Sequence, residues 1–434
     1  MYLSHRNLYI TLTKISIMVI SIMKIIERRE LSDVLNAKWL LVYGRRKTGK
    51  TFYIREKAEY SHYFIVTSGR EIFEVKRGEI YSFSEFMRVF PLLLSQGRIV
   101  IDEFHRLGEP FFSILQGLSG RGELTLITST RHYFKKFIGS NSPLLGLFYL
   151  RELGLVDPRD AVNFVDGLGY SGKTMIELAV LLQEPWLAPA IESLGERVFS
   201  TFGSTLKGNV PSLIGEIFRE EERELTMRYS AILETVADGK SSSGEIAKEL
   251  YSRVLIEKET HSAVAPYLET LVNMGILERI PLFGKRKKIF KYRHLSPVVD
   301  FAYYLNAKYG FFETELPDET VERVFREKMP RYVERFFERL LTKYYSLQPV
   351  RIEMPDLEVD IALLRNKKLH LVAEVKWKEK VKEKDIRNVE EKFEKLNAKI
   401  KLLIVPDKEV LPRAPENAEV LDCRDVTRLC KTPP

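Results

Sequence analysis

The sequence predicts an α/β protein of several domains. Expected are a parallel-sheet core with a helical cover, a small domain of helices with a hairpin, and a second α/β unit at the end. Three observations predict this. An apolar run, Trp39-Leu40-Leu41-Val42-Tyr43, leads into Gly44-Arg45-Arg46-Lys47-Thr48-Gly49-Lys50-Thr51, and residues 52–57 then read as a helix. A second buried-type strand, Arg98-Ile99-Val100-Ile101-Asp102-Glu103-Phe104, ends in two acids. Near the C-terminus, alternating runs at 357–364 and 369–377 flank the turn Arg365-Asn366-Lys367-Lys368 and read as a hairpin.

Strand, glycine loop and helix form the context in which Gly-x-x-x-x-Gly-Lys-Thr grips phosphate. Gly44 and Gly49 allow backbone conformations that a side chain forbids. The N–H groups of Arg45, Arg46, Lys47 and Thr48 can then surround a β-phosphate at the positive end of the helix. Lys50 is expected to reach the β- and γ-phosphates, and the Thr51 hydroxyl to ligate Mg²⁺. About fifty residues later, the expected spacing for a partner motif, Asp102 is placed to hold the Mg²⁺ shell through water. Glu103 is placed to orient and polarise an attacking water. The strand Leu124-Thr125-Leu126-Ile127-Thr128-Ser129-Thr130 ends in hydroxyls; Ser129 is the candidate to sense a γ-phosphate, with a plain strand-end turn as the alternative. ATP and Mg²⁺ are the cofactors these residues predict.

A second match, Gly167-Leu168-Gly169-Tyr170-Ser171-Gly172-Lys173-Thr174, follows residues whose apolar positions recur at helical spacing. No strand feeds it. It is expected to be a turn between two helices.

At 434 residues, 45% hydrophobic and 11% aromatic, the chain can bury several cores and predicts two to four domains. A net charge of +8 and a pI near 9.1 favour a polyanionic partner. The 29% charged content leans towards a heat-adapted source. Cys423 and Cys430 suit neither a disulfide framework nor a zinc site, and a reducing cytoplasm fits. Residues 8–26 are apolar but interrupted by Lys14 and Lys24. Residues 1–22 are therefore expected to be an extension from an over-long translation start, with Met18 or Met23 as the true beginning, and not a membrane anchor.

The core is expected over 23–150. It opens with a charged helix at 27–35, either a plain surface helix or one lying near the base of the nucleotide, and includes a strand at 62–67. Residues 151–228 turn helical, as a lid over the nucleotide in which Arg151 or Arg197 is the candidate phosphate contact. A winged helix-turn-helix comes next, over 229–310. Its helices read at 229–237, 243–250 and 260–274, and its hairpin strands at 276–280 and 289–293. The tip Gly284-Lys285-Arg286-Lys287-Lys288 is basic, as a phosphate-gripping wing requires. The third helix offers His261, Ser262, Tyr267 and Asn273 but no Arg or Lys, which argues against sequence-specific readout. An aromatic helix at 297–305 packs this domain on the C-terminal unit.

Over 311–434, the helix Arg331-Tyr332-Val333-Glu334-Arg335-Phe336-Phe337-Glu338 carries acids at i and i+4. In the hairpin, Glu374 and Lys376 fall on one face of the strand, and pairing brings Asp360 beside them. Two carboxylates and a lysine are what metal-assisted phosphodiester cleavage needs. Asp360 and Glu374 would hold Mg²⁺, Lys376 would activate water or steady the transition state, and Glu338 would complete the metal shell. A surface hairpin with the same residues is the plain alternative.

In this order, the loop at 44–51, the acidic strand end at 99–103, the winged helix and the hairpin at 358–377 resemble the archaeal-type ATPase family. These are AAA+-related P-loop proteins of the STAND branch, with a C-terminal domain similar to PD-(D/E)XK nucleases and archaeal Holliday-junction resolvases. The resemblance makes residues 27–31 the family's entry box. It matches Ser142-Pro143-Leu144-Leu145-Gly146-Leu147 to a segment in which an arginine usually follows the glycine; here Leu147 stands there. The two ATPase motifs, the basic wing and the Glu-x-Lys hairpin together predict a cytoplasmic ATP-binding and ATP-hydrolysing protein that acts on DNA, with nucleotide state positioning the winged helix and a Mg²⁺-dependent nuclease-like domain. The alternative is a nucleotide-gated switch that uses its C-terminal domains for docking, without nuclease activity. A protein partner or self-association stays open.

Overall fold

The structure, a computed structural model, describes residues 24–130, 144, 146–221, 223–285, 289–354 and 356–432. The start-site expectation and Lys14, Met18 and Met23 lie outside them, as do Arg286, Lys287 and Lys288. Among the described residues, no helix is long and apolar enough to cross a membrane.

The first unit is a seven-stranded sheet, order β4-β3-β2-β5-β6-β1-β7. Its strands are β1 (Trp39–Tyr43), β2 (His62–Val66), β3 (Ile72–Glu74), β4 (Glu79–Tyr81), β5 (Arg98–Asp102), β6 (Glu123–Thr128) and β7 (Tyr149–Glu152). The run β2-β5-β6-β1-β7 is parallel, and β3 and β4 are antiparallel additions at one edge. Every residue of β5 is buried, which is why the strand reads as a continuous apolar run and not as an alternation. Helix α1 (Lys50–Lys57) follows the glycine loop. Helix α2 (Phe83–Leu94) starts in a capping box, Ser82 Oγ accepting from Glu85 N at 3.3 Å and Glu85 accepting from Ser82 N at 2.8 Å. It turns Phe86, Phe90 and Leu94 onto the sheet, and α3 (Glu109–Gly117) adds Phe111, Phe112 and Leu115. Parallel strands place all their carboxyl ends on one edge, where ligands of such sheets bind.

The expected border at residue 150 falls inside β7, which pairs with β1 through Tyr149, Leu150, Arg151 and Glu152. This is an exposed edge strand with two charged residues, so it lacks the apolar run that betrays its buried neighbours.

Next come α4 (Pro158–Gly167), α5 (Gly172–Leu182), α6 (Ala188–Leu194) and α7 (Phe202–Glu220). The second glycine-lysine match is the turn between α4 and α5, as expected. Helices α8 (Met227–Ala237), α9 (Ser243–Ser252) and α10 (His261–Asn273) precede the hairpin β8 (Leu277–Pro281) and β9 (Phe290–His294). Then α11 (Pro297–Tyr309) leads to α12 (Asp318–Tyr345), 28 residues long. The helix begins at Asp318, well before the stretch expected from 331, and Pro330 lies inside it.

The last unit is a five-stranded sheet, order β10-β13-β14-β15-β16. Its strands are β10 (Gln348–Val350), β13 (Ile361–Arg365), β14 (Lys368–Val375), β15 (Ile400–Ile404) and β16 (Glu419–Leu421); β11 (Glu353–Met354) and β12 (Leu357–Glu358) pair separately. Alternation splits β13 and β14 between two cores. Ile361, Leu363, Leu371 and Ala373 join the central helices, whereas Ala362 and Val372 join Ile386, Val389 and Phe393 of α13 (Glu383–Glu394).

The central core gathers Ile26 and residues from Val156 to Cys430. It takes in α4–α12 and the final helix α14 (Cys423–Lys431), so the helical cover, the three-helix unit and one face of the last sheet share one apolar interior. Trp377 Nε1 donates to Glu177 of α5 at 2.9 Å across this junction.

Candidate nucleotide site and C-terminal carboxylate cluster

The loop between β1 and α1 closes on itself. Gly44 has φ +148°, and a Cβ there would lie 2.3 Å from the Leu153 carbonyl oxygen; only glycine fits. Gly49 sits at φ +86° as the N-cap of α1. Lys50 is buried, and its Nζ donates to the carbonyls of Gly44 at 2.9 Å and Arg45 at 2.7 Å. Burial pushes its ammonium down to about 8, with Glu103 and Asp102 opposing. Thr51 Oγ1 donates to Asp102 Oδ2 at 2.6 Å, and Tyr63 OH donates to the same oxygen at 3.0 Å. Burial, then the neighbouring Glu103, raises the Asp102 carboxyl.

Glu103 adopts a left-handed backbone, φ 55° and ψ 37°. Such strain in a side-chain-bearing residue costs about 1 kcal/mol or more and gathers at functional sites. Its carboxylate accepts from Ser129 Oγ at 2.7 Å and Ser129 N at 3.2 Å. Ser129 therefore orients Glu103 from the end of the neighbouring strand. Burial works against the Glu103 charge, but His105, the Ser129 bond and Lys50 hold the carboxyl below its ordinary value. Burial depresses the His105 imidazole to about 4, and its Nδ1 lies 2.9 Å from Thr128 Oγ1.

Four further features around the loop escape motif reading. Arg28 Nη1 donates to the Thr48 carbonyl at 2.6 Å. Arg45 Nη2 meets both oxygens of Glu184 at 2.7 Å, a fully buried pair. Arg46 reaches Glu216 at 2.6 Å and Glu220 at 2.8 Å on α7, and lies 4.0 Å from Glu103. Beside Gly49, Ile26, Phe52, Pro185 and Trp186 line a largely apolar pocket with Arg28 behind it. This puts the 27–31 segment beside the pocket, where a base is expected. Arg151 packs on the Tyr149 ring, and Arg197 lies exposed. Leu147 packs against the apolar face under the sheet.

These residues fit a magnesium–nucleotide complex. Thr51 and Asp102 pair hard oxygen ligands suited to Mg²⁺. Lys50, Arg46 and the loop N–H groups supply the positive potential that polyphosphate needs. The apolar pocket suits a base.

At the other end of the molecule, Asp360 precedes β13 and accepts from Val375 N at 2.8 Å. Lys376 Nζ lies 2.6 Å from Glu374 Oε2 and 4.0 Å from Asp360 Oδ2. The expected trio is thus assembled. Lys392 Nζ of α13, which spacing does not single out, takes the other Glu374 oxygen at 2.7 Å.

Glu334 of α12, one turn before the expected Glu338, lines the same cleft as Asp360 and Glu338. Burial and then Asp360 push the Glu334 carboxyl up to about 7. Glu338, one turn on, is bound by Arg293 of β9. Both acids are visible at i and i+4; that both face the cleft of Asp360 depends on how α12 lies across the sheet. Glu334, Glu338 and Asp360 share a cleft with Lys291, Arg331 and Arg351. The hairpin forms one wall of it, because Phe283 N donates to Arg351 O and Arg351 N to Pro281 O, each at 2.9 Å. Lys285 is exposed at the hairpin tip; the other expected tip residues, 286–288, lie outside the described residues.

No protein-family model matches the chain, and neither does any curated protein. Among solved structures, it is similar to the Orc1 protein of Aeropyrum pernix in complex with DNA (16% identity, TM-score 0.30, 63% of this chain and 87% of that one). It is also similar to the Orc2 protein of Aeropyrum pernix in its ADPNP–ADP complexes (11%, 0.38, 69% and 92%). A third is the RuvB Holliday junction branch migration motor of Thermotoga maritima (17%, 0.28, 56% and 82%). Likeness this slight decides nothing about what the chain binds.

Proposed function

We propose that the chain binds ATP with Mg²⁺ between the loop at 44–51 and the Asp102–Glu103 pair, hydrolyses it, and acts on DNA. One observation carries this reading. Lys50, Thr51, Asp102, Glu103 and Ser129 come from separate stretches of sequence and meet at the carboxyl edge of one parallel sheet. Bound Mg²⁺ would neutralise charge between the β- and γ-phosphates. Lys50 and the loop N–H groups hold the phosphates, and Thr51 and Asp102 hold the cation. Glu103, kept ionised and aimed by Ser129, accepts a proton from the attacking water. Calorimetry with ATP and Mg²⁺ should show binding by the wild type and none by K50A. No heat with the wild-type chain sinks the reading.

The C-terminal cluster fits a Mg²⁺-dependent nuclease site on a winged-helix and PD-(D/E)XK-like frame: Asp360 and Glu374 as ligands, Lys376 beside them, and the basic hairpin on the DNA backbone. A second reading, a nucleotide-gated switch without cleavage, draws support from Glu374, whose two oxygens are each taken by a lysine. Nicking of supercoiled plasmid in Mg²⁺, present in the wild type and lost in D360A, selects the nuclease. Equal inactivity of both selects the switch.

A further inference from the structure

The side chain of Arg46 faces three carboxylates. Glu216 and Glu220 of α7 lie at 2.6 and 2.8 Å. Glu103 lies at 4.0 Å, with an oxygen within 4.8 Å of one on Glu220, and shares its neighbourhood with Lys50. A terminal phosphate held by Lys50 and approached by a water on Glu103 has to lie within this group. It therefore lies next to the Arg46 guanidinium.

We propose that Arg46 is the residue that takes up the charge of the γ-phosphate in hydrolysis, and that Glu216 and Glu220 hold it back until nucleotide arrives. This rests on the ATP site proposed above. A guanidinium fork matches phosphate oxygens as well as it matches carboxylates. The exchange strands no buried charge. Glu216 is about one-third exposed, its side chain at 34%, so water can solvate it. Glu220, more buried at 14%, keeps Arg106 at 2.9 Å; Arg106 in turn is anchored on the Val66 carbonyl at 2.8 Å. Arg46 can thus leave α7 while the helix stays docked.

In the step itself, the water oxygen bonds to the γ-phosphorus and the bond from that phosphorus to the β–γ bridging oxygen breaks. The electron pair departs on ADP, and the water proton passes to Glu103. Arg46 neutralises charge on the equatorial oxygens, where the loose transition state concentrates it.

The test compares R46A, R46K and the double variant E216Q/E220Q for ATP affinity by fluorescent-analogue titration and for kcat by phosphate release. R46A is expected to bind ATP within a few-fold of the wild type and to lose about 100-fold in kcat. R46K should recover affinity and little of the rate, because it lacks the fork. E216Q/E220Q should raise kcat or affinity several-fold by freeing the arginine. A tether that only holds α7 in place predicts the same direction of change for R46A and E216Q/E220Q, and that outcome overturns the proposal. So does an R46A variant with wild-type kcat. Absence of ATP binding by the wild type would instead remove the ATP site itself.

Discussion

The buried pair of Arg45 and Glu184 carries a prediction that can be worked out in full. The guanidinium and carboxylate meet at 2.7 Å with side-chain exposures of 4% and 0%. Glu184 also accepts from Trp186 Nε1 at 3.0 Å. One bond network thus joins the phosphate loop to the wall of the apolar pocket. Replacing Glu184→Met leaves the Arg45 charge buried without a counter-ion, which costs about 3–5 kcal/mol. Arg45→Met strands the carboxylate at a similar cost. The double replacement R45M/E184M removes both charges and should return to within about 1 kcal/mol of the wild type, because well-packed apolar residues often substitute for a buried pair without loss. The coupling in the double-mutant cycle is then several kcal/mol. Urea denaturation followed by circular dichroism measures all four proteins. Single-variant losses below about 1 kcal/mol, or a double variant as damaged as the sum of the singles, refute the assignment of this pair as a desolvated tether.

The same geometry yields three more expected outcomes. Glu334 has its folded-state carboxyl raised from 4.5 to about 7, so its contribution to stability is fully present below pH 4.5 and lost as the pH rises through 7. E334Q removes that titration; it should match the wild type at pH 4 and exceed it by about 3 kcal/mol at pH 8, with added Mg²⁺ narrowing the gap, and thermal melts at the two pH values check this. Gly44→Ala drives a Cβ into the Leu153 carbonyl, so it should abolish nucleotide binding and lower the melting temperature. Asp102→Asn removes the charge and turns an oxygen that accepts from Thr51 and Tyr63, or from Glu103 N, into a donor, so it should weaken Mg²⁺ dependence and lower the melting temperature, as magnesium-titrated calorimetry and thermal melts read.

Much of the fold is legible in sequence because its signals are local. Trp39–Tyr43 and Arg98–Asp102 are buried on both faces and read as unbroken apolar runs. The helix of Ile386, Val389 and Phe393 shows its period plainly. Tyr149–Glu152 does not, because an edge strand needs no apolar run and its pairing with β1 is a long-range fact. The start of α12 at Asp318 is hidden for a related reason: packing along the central core sets how far the helix extends and outweighs the local cost of Pro330.

The amino-acid order alone determined the glycine-lysine loop, the acid-ended strand and the Asp360–Glu374–Lys376 trio, since each is written within one or two adjacent elements. Only the tertiary structure decided which distant charges meet them: Glu184 on Arg45, Glu216 and Glu220 on Arg46, Lys392 on Glu374, and Glu334 beside Glu338 in the cleft of Asp360. Spacing along a strand or helix sets which side chains share a face. How that face is rotated and seated against another element is set by packing of the shared core, and no local pattern encodes it.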